Sequence, residues 1–217
     1  MTRKLVQIGA GPDFSFEDKA GIPCCGIDEV GRGPLAGPVV AAAVILDRAR
    51  LPKAIYQNIN DSKKLSAKRR SELARALRDY ADVSLGLCTV EEIDTLNILR
   101  ATLEAMRRAY AGLNTPPEMA LVDGNQKPPL SCRIQTIVKG DARCMSIAAA
   151  SIIAKDHRDT LMAQLAQTHP HYGWASNAGY GTAIHLKALE VHGVTAHHRR
   201  SFAPVSKQLL KANSANY

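Results

Sequence analysis

Four acidic residues interrupt apolar segments of this chain: Asp28 and Glu29 in CCGIDEV, Asp123 in MALVDGN and Asp141 in TIVKGDAR. Each stands at the carboxyl end of a predicted strand or just past it. In open α/β sheets that edge is where sites gather. Two carboxylates about 5 Å apart repel by about 3 kcal/mol at an effective dielectric near 20, so a cluster of four needs a counter-charge. An all-oxygen ligand set suits magnesium or manganese rather than zinc. Two such ions about 4 Å apart would stabilise both the attacking and the leaving oxygen of a phosphodiester. Other readings exist for each acid alone. An aspartate beside a glycine after a strand is commonly a turn residue, and Asp28 and Glu29 could end a strand and pair with Arg32. Adjacent strand residues also point to opposite faces. Asp28 and Glu29 are therefore expected to share a site only if the strand ends or kinks between them, which the following Gly31-Arg32-Gly33 would permit.

The basic residues come next. The net charge of +8 and pI of about 9.4 favour a polyanionic partner, although solubility alone also explains such a surplus. Position says more than the sum. Basic residues gather in SKKLSAKRR (62–70) and HHRRS (197–201), with a further pair at Arg107 and Arg108. Lys68, Arg69 and Arg70 read as the solvated face of a helix. His197, His198, Arg199 and Arg200 lack a cysteine pair or a spaced histidine partner, so they read as phosphate contacts or local structure rather than a zinc site. The five cysteines contain no C-x-x-C pair and fit reduced core thiols better than a disulfide frame. No apolar run reaches the roughly 18 residues of a membrane span, and no secretory leader is legible, so a cytoplasmic location is expected.

The elements that must position these residues follow from periodicity. Strands are predicted near 22–28, 36–46, 82–88, 118–122 and 133–138, each rich in Val, Ile or Leu. Ser66 caps a helix running to about Tyr80, and Thr89 with Glu92 forms a capping box. Beyond it Leu96, Leu99, Leu103, Met106, Tyr110 and Leu113 make an amphipathic face. A helix over about 146–167 begins with the small residues SIAAAS, which suit close approach to a sheet. Another spans about 182–192 and stops at Gly193. The tail KQLLKANSANY is read as a flexible end. The order predicts a layered α/β domain with a small C-terminal extension.

GIDEVGRGPLAGPVV, DSKKLS, VDGN, VKGD, SIAAASIIAKDHRD, GYGTAIH and HHRRSF occur in that order. Together they resemble ribonuclease HII, the bacterial type 2 ribonuclease H, over roughly residues 22–205. The resemblance implies an RNase H-like three-layer α/β fold, with a mixed five-stranded sheet in the order 3-2-1-4-5 flanked by helices. It divides the chain into an N-terminal extension (1–20), a catalytic domain (21–180) and a C-terminal helical extension (181–217) completing the substrate groove. It implies an endoribonuclease that cuts the RNA strand of RNA–DNA hybrids and nicks duplex DNA 5′ of single embedded ribonucleotides, leaving 3′-hydroxyl and 5′-phosphate ends. Asp28, Glu29, Asp123 and Asp141 become the metal-binding catalytic carboxylates, with Mg2+ or Mn2+ as cofactor. Gly31, Arg32 and Gly33 become the ribose reader, Lys63 and Lys64 phosphate contacts, and Tyr180 the platform for the sugar after the ribonucleotide. A two-metal junction resolvase on the same fold would share the acids but have no use for a ribose reader. A non-catalytic binding protein would leave four strand-end acids as unexplained repulsion. No obligate protein partner is evident, and a monomer is the simplest expectation.

Overall fold

The computed structural model describes residues 11–214. In chain order the elements are α1 (Ser15–Ala20), β1 (Cys24–Val30), β2 (Val39–Leu46), α2 (Lys53–Tyr56), α3 (Ala67–Leu77), β3 (Ala81–Cys88), α4 (Val90–Leu96), α5 (Ile98–Ala111), β4 (Met119–Asp123), β5 (Arg133–Ile137), α6 (Met145–Thr168), α7 (Trp174–Asn177), α8 (Ala183–His192) and α9 (Ala203–Ser214). The sheet order is β3-β2-β1-β4-β5, as the resemblance implied. β1 is antiparallel to β2, β2 to β3, while β1–β4 and β4–β5 are parallel.

β2, VVAAAVIL, shows why the domain has three layers. Its first six residues are all buried, so both faces are covered. Val40, Ala42 and Val44 join the core beneath α3 and α6, and the alternate residues Val39, Ala41 and Ala43 join the core beneath α5. Ile147, Ile152 and Ile153 of α6 are wholly buried, each contributing about 1.5–3 kcal/mol of apolar burial. The small first turns of α6 do lie flat on the sheet. A Cβ added at Gly26 of β1 would sit 2.1 Å from the Ser146 carbonyl carbon, so only glycine fits there.

Caps read from sequence are present at Ser66 and at Thr89 with Glu92, and the structure adds one at Thr182. The amphipathic run after Thr89 is divided, however. Asn97 adopts φ +70°, ends α4, and its side chain caps α5 through Leu99 N–H and Arg100 N–H. The tail also differs from its reading as a flexible end: α9 continues to Ser214, anchored by fully buried Val205. Residues 215–217, and 1–10 of the N-terminal extension, lie outside the described residues. The described part of that extension is docked: Glu17 accepts from Ser146 N–H at 2.8 Å and Ser146 Oγ at 2.7 Å, capping α6. No helix among the described residues is long and apolar enough to cross a membrane.

Candidate active site

β1 does not end or kink at the acids. Asp28 and Glu29 remain in the ladder with β2, opposite Ala42 and Ala41, and the strand runs on to Val30. Yet one carboxylate oxygen from each of Asp28, Glu29 and Asp123 lies within 4.8 Å of the others. The pairing with β4 explains this. Its parallel ladder with β1 stops at Ile27–Val122, leaving an open notch beside Asp28 and Glu29. Asp28 and Asp123 stand on the α6 face. Glu29 starts from the opposite face, yet its carboxylate comes within reach of the other two.

The supports are specific. Asp123 Oδ1 accepts from Gly140 N–H at 2.6 Å, after a left-handed Lys139 turns the chain. Asp28 Oδ1 accepts from Glu29 N–H at 2.8 Å. Ser151 of α6 stands beside Asp28, where it favours the charged carboxylate, and its Oγ lies 2.9 Å from Ser62 Oγ of the 61–65 turn. Asp141 occupies a single 3-10 turn (Gly140–Ala142) and lies outside the triplet, with Oδ2 3.8 Å from Lys63 Nζ.

The site is short of positive charge. Burial, then the charges of Glu29 and Asp123, push the Asp28 carboxyl well above its usual range. Burial also raises Glu29, opposed by Arg32 and reinforced by Asp123. Asp141 is raised by burial and by Asp123 and Asp61, against Lys63. Arg32 Nη1 is 3.5 Å from Glu29 but its side chain is 48% exposed, and that of Lys63 is 77% exposed. Solvent screens such cations, so they do not neutralise buried acids. Three convergent carboxylates holding this deficit fit a hard divalent ion.

The turn after β1 abuts the acids. Gly31 has φ +95°, and the space a Cβ would fill there is taken by the Arg158 side chain, with Nε 2.2 Å away. At Gly33 the same space is bounded by the Tyr180 ring, 3.3 Å off. The glycines thus admit protein neighbours. Tyr180 is 47% exposed, but its backbone is pinned: its carbonyl meets His185 Nδ1 at 2.9 Å, and the Gly179 carbonyl accepts from Leu35 N–H at 2.8 Å. Lys64 is exposed and forms no ion pair among the described residues.

The structure corrects the reading of one basic cluster and decides between the readings of another. Arg70 is buried, not solvated. It reaches Asp159 at 2.7 Å and donates to the carbonyls of Ser62 and Leu65. His198 and Arg199 are wholly buried; His198 Nε2 is 3.0 Å from His185 Nε2. Local structure, not phosphate contact, accounts for these two. Arg158 was given no role in the sequence analysis.

A mixed sheet in this order, with carboxylates converging where β1 passes the end of β4, defines a metal-dependent nuclease of the ribonuclease H fold. A family model described as Ribonuclease HII matches residues 25–205. A ribonuclease HII from Paramagnetospirillum magneticum is 57% identical over 199 residues, covering 92% of this chain and 99% of its own. One from Jannaschia sp. is 58% identical over 200 residues, covering 92% and 98%. Among solved structures, ribonuclease H2 from Pyrococcus horikoshii OT3 superposes with a TM-score of 0.74 at 25% identity, covering 88% of this chain and 99% of that one. The chain belongs to the ribonuclease HII family, and it is a hydrolase of phosphodiester bonds.

Proposed function

We propose that this nuclease cuts the RNA strand of RNA–DNA hybrids and nicks duplex DNA 5′ of a single embedded ribonucleotide, leaving 3′-hydroxyl and 5′-phosphate ends. The carrying observation is an adjacency: the Asp28–Glu29–Asp123 cluster lies at one end of a turn whose other end, Gly33, packs on Tyr180. Asp28 and Asp123 are assigned as central ligands and Glu29 and Asp141 as supporting ones. Magnesium or manganese ions, two with substrate bound, would supply a metal-activated water and charge neutralisation at the scissile phosphate. The chain's own residues do the rest. Gly31, Arg32 and Gly33 read the ribose 2′-hydroxyl, the group that separates RNA from DNA locally. A site built to hydrogen-bond a hydroxyl rejects its absence by about 10⁴ or more. Lys63, with Lys64 beside it, meets backbone phosphate, and the exposed Tyr180 ring packs on the following sugar. Residues 21–180 act as the catalytic unit, and the part from 181 on completes the groove. The contacts from Arg199 and His185 to residues 31, 32 and 180 support this division. The enzyme acts as a monomer without an obligate protein partner.

The test is cleavage of a DNA duplex carrying one ribonucleotide, beside an all-DNA duplex, in magnesium, manganese or EDTA. A single metal-dependent nick at the ribonucleotide, absent from the control, is expected. Equal cutting of both duplexes would remove the ribose reader from the account.

A further inference from the structure

Residues 31–38 run between two strands without regular structure, yet the carbonyls of Gly31, Arg32, Leu35, Ala36, Gly37 and Pro38 all find donors, and two side chains from distant parts of the chain supply most of them. Arg158, on α6, donates from Nε to Pro38 O at 2.9 Å, from Nη2 to Ala36 O at 3.0 Å and from Nη1 to Ala178 O at 2.8 Å. Arg199, after α8, donates from Nε and Nη2 to Gly37 O at 2.9 and 2.8 Å. Its Nη2 also reaches Gly31 O at 2.6 Å, and its Nη1 reaches Arg32 O at 3.0 Å. Its backbone N–H takes Leu35 O at 2.9 Å. Both side chains are 0% exposed, and neither has a carboxylate within ion-pair distance among the described residues.

Burying two guanidiniums without counter-ions is costly, and it persists only where the donors are satisfied. Here the acceptors are backbone carbonyls of one loop and of the turn before Tyr180. Burial pulls Arg158 down to about 10 and Arg199 to about 9, so both stay charged at neutral pH. The geometry has a directional consequence. In a planar trans peptide the C=O and the following N–H point opposite ways. With Gly31 O and Arg32 O turned inward to Arg199, the N–H groups of Arg32 and Gly33 turn outward, and among the described residues neither has an acceptor.

We infer that Arg158 and Arg199 are positioning residues for substrate selection: together they hold the peptide planes of the Gly31-Arg32-Gly33 turn, and its spacing from Tyr180, so that the Arg32 and Gly33 N–H donors face the ribonucleotide. The inference rests on the ribose-reading role proposed above. Arginine is required because its planar fork carries five donors that span several carbonyls, whereas a lysine offers three from one atom.

The test uses the full chain with Arg158→Lys and Arg199→Lys, which keep the charge, and Arg199→Ala, which leaves room for a guanidinium ion. Nicking at a single ribonucleotide is measured per folded molecule, alongside thermal melting and Mn2+ binding by calorimetry. A loop displaced by an ångström costs about 100-fold. The expected result is a kcat/KM lower by that factor in both lysine variants, with Mn2+ binding unchanged and activity of Arg199→Ala restored by millimolar guanidinium. A merely structural role would lower the melting temperature and leave the rate per folded molecule intact. That result, wild-type nicking by Arg199→Lys, or failure of guanidinium to restore Arg199→Ala would overturn the inference. Should the wild-type chain itself cut ribonucleotide-containing and all-DNA duplexes equally, the ribose-reading role fails, a separate outcome seen before any variant is made.

Discussion

On one side of the turn after β1 lie three carboxylates with only screened cations near them; behind the turn lie two guanidiniums with no carboxylate within ion-pair distance among the described residues. Both are charge withdrawn wholly or partly from solvent, handled in opposite ways. The carboxylates keep most of their acceptor capacity free, so burial and mutual repulsion push Asp28 and Glu29 upward. The guanidiniums spend every nitrogen on a carbonyl at 2.6–3.0 Å. An unsatisfied charge cluster is built to bind something from outside the chain. A satisfied one is built to hold part of the chain still.

That contrast makes unequal demands on substitution. Asp28→Asn or Asp123→Asn should reduce turnover at least about 10³-fold in a nicking assay, because a charge-stabilising ligand is lost. The folded protein should melt no lower without metal, since buried repulsion is relieved. Marked destabilisation would place these acids with the structural charges instead. Tyr180→Ala works at the edge of the site. It should leave fold and metal binding intact and reduce the preference for a DNA nucleotide after the ribonucleotide about tenfold, the scale of one stacking contact. Unchanged preference would remove Tyr180 from the groove. Thr89→Ala touches neither region: losing the α4 cap should cost about 1 kcal/mol in denaturant unfolding and nothing in activity per folded molecule.

How legible each region was from sequence depends on the kind of signal it leaves. The acids announced themselves because charge at the end of an apolar run is conspicuous, and the strand order came with the resemblance. Three of the four converge and Asp141 stands apart, and the route differs from the one expected: the notch comes from β4 stopping early, which depends on register and leaves no local trace. Arg158 did leave a trace. It falls on the stripe Ile147, Ser151, Ala154, Arg158, Met162, the buried face of α6, as Arg70 falls with Leu73, Ala74 and Leu77 on that of α3. A charge on an apolar helical stripe is a charge with a buried partner, and that reading was open. Arg199 lies in a turn with no periodicity, and its acceptors are backbone carbonyls more than 160 residues away. Its place in HHRRSF marked the residue, but nothing local could have shown which carbonyls it holds.

The central claim is that the acid cluster is a divalent-metal site. The most direct measurement is the melting temperature from pH 5 to 8, in EDTA and in saturating Mn2+, for the wild-type chain and Asp123→Asn. Carboxyls raised in the folded state hold protons there after the unfolded chain has released them, so their contribution to metal-free stability falls as pH rises. Buried His198, held down to about 3 by burial and its histidine neighbours, acts in the other direction, losing stability on acidification, but equally with and without metal. The difference between the two curves therefore isolates the acids. Because a bound cation must displace their protons, the account predicts a Mn2+ stabilisation that grows with pH and is lost in Asp123→Asn. A shift absent at every pH, or undiminished in Asp123→Asn, would contradict it.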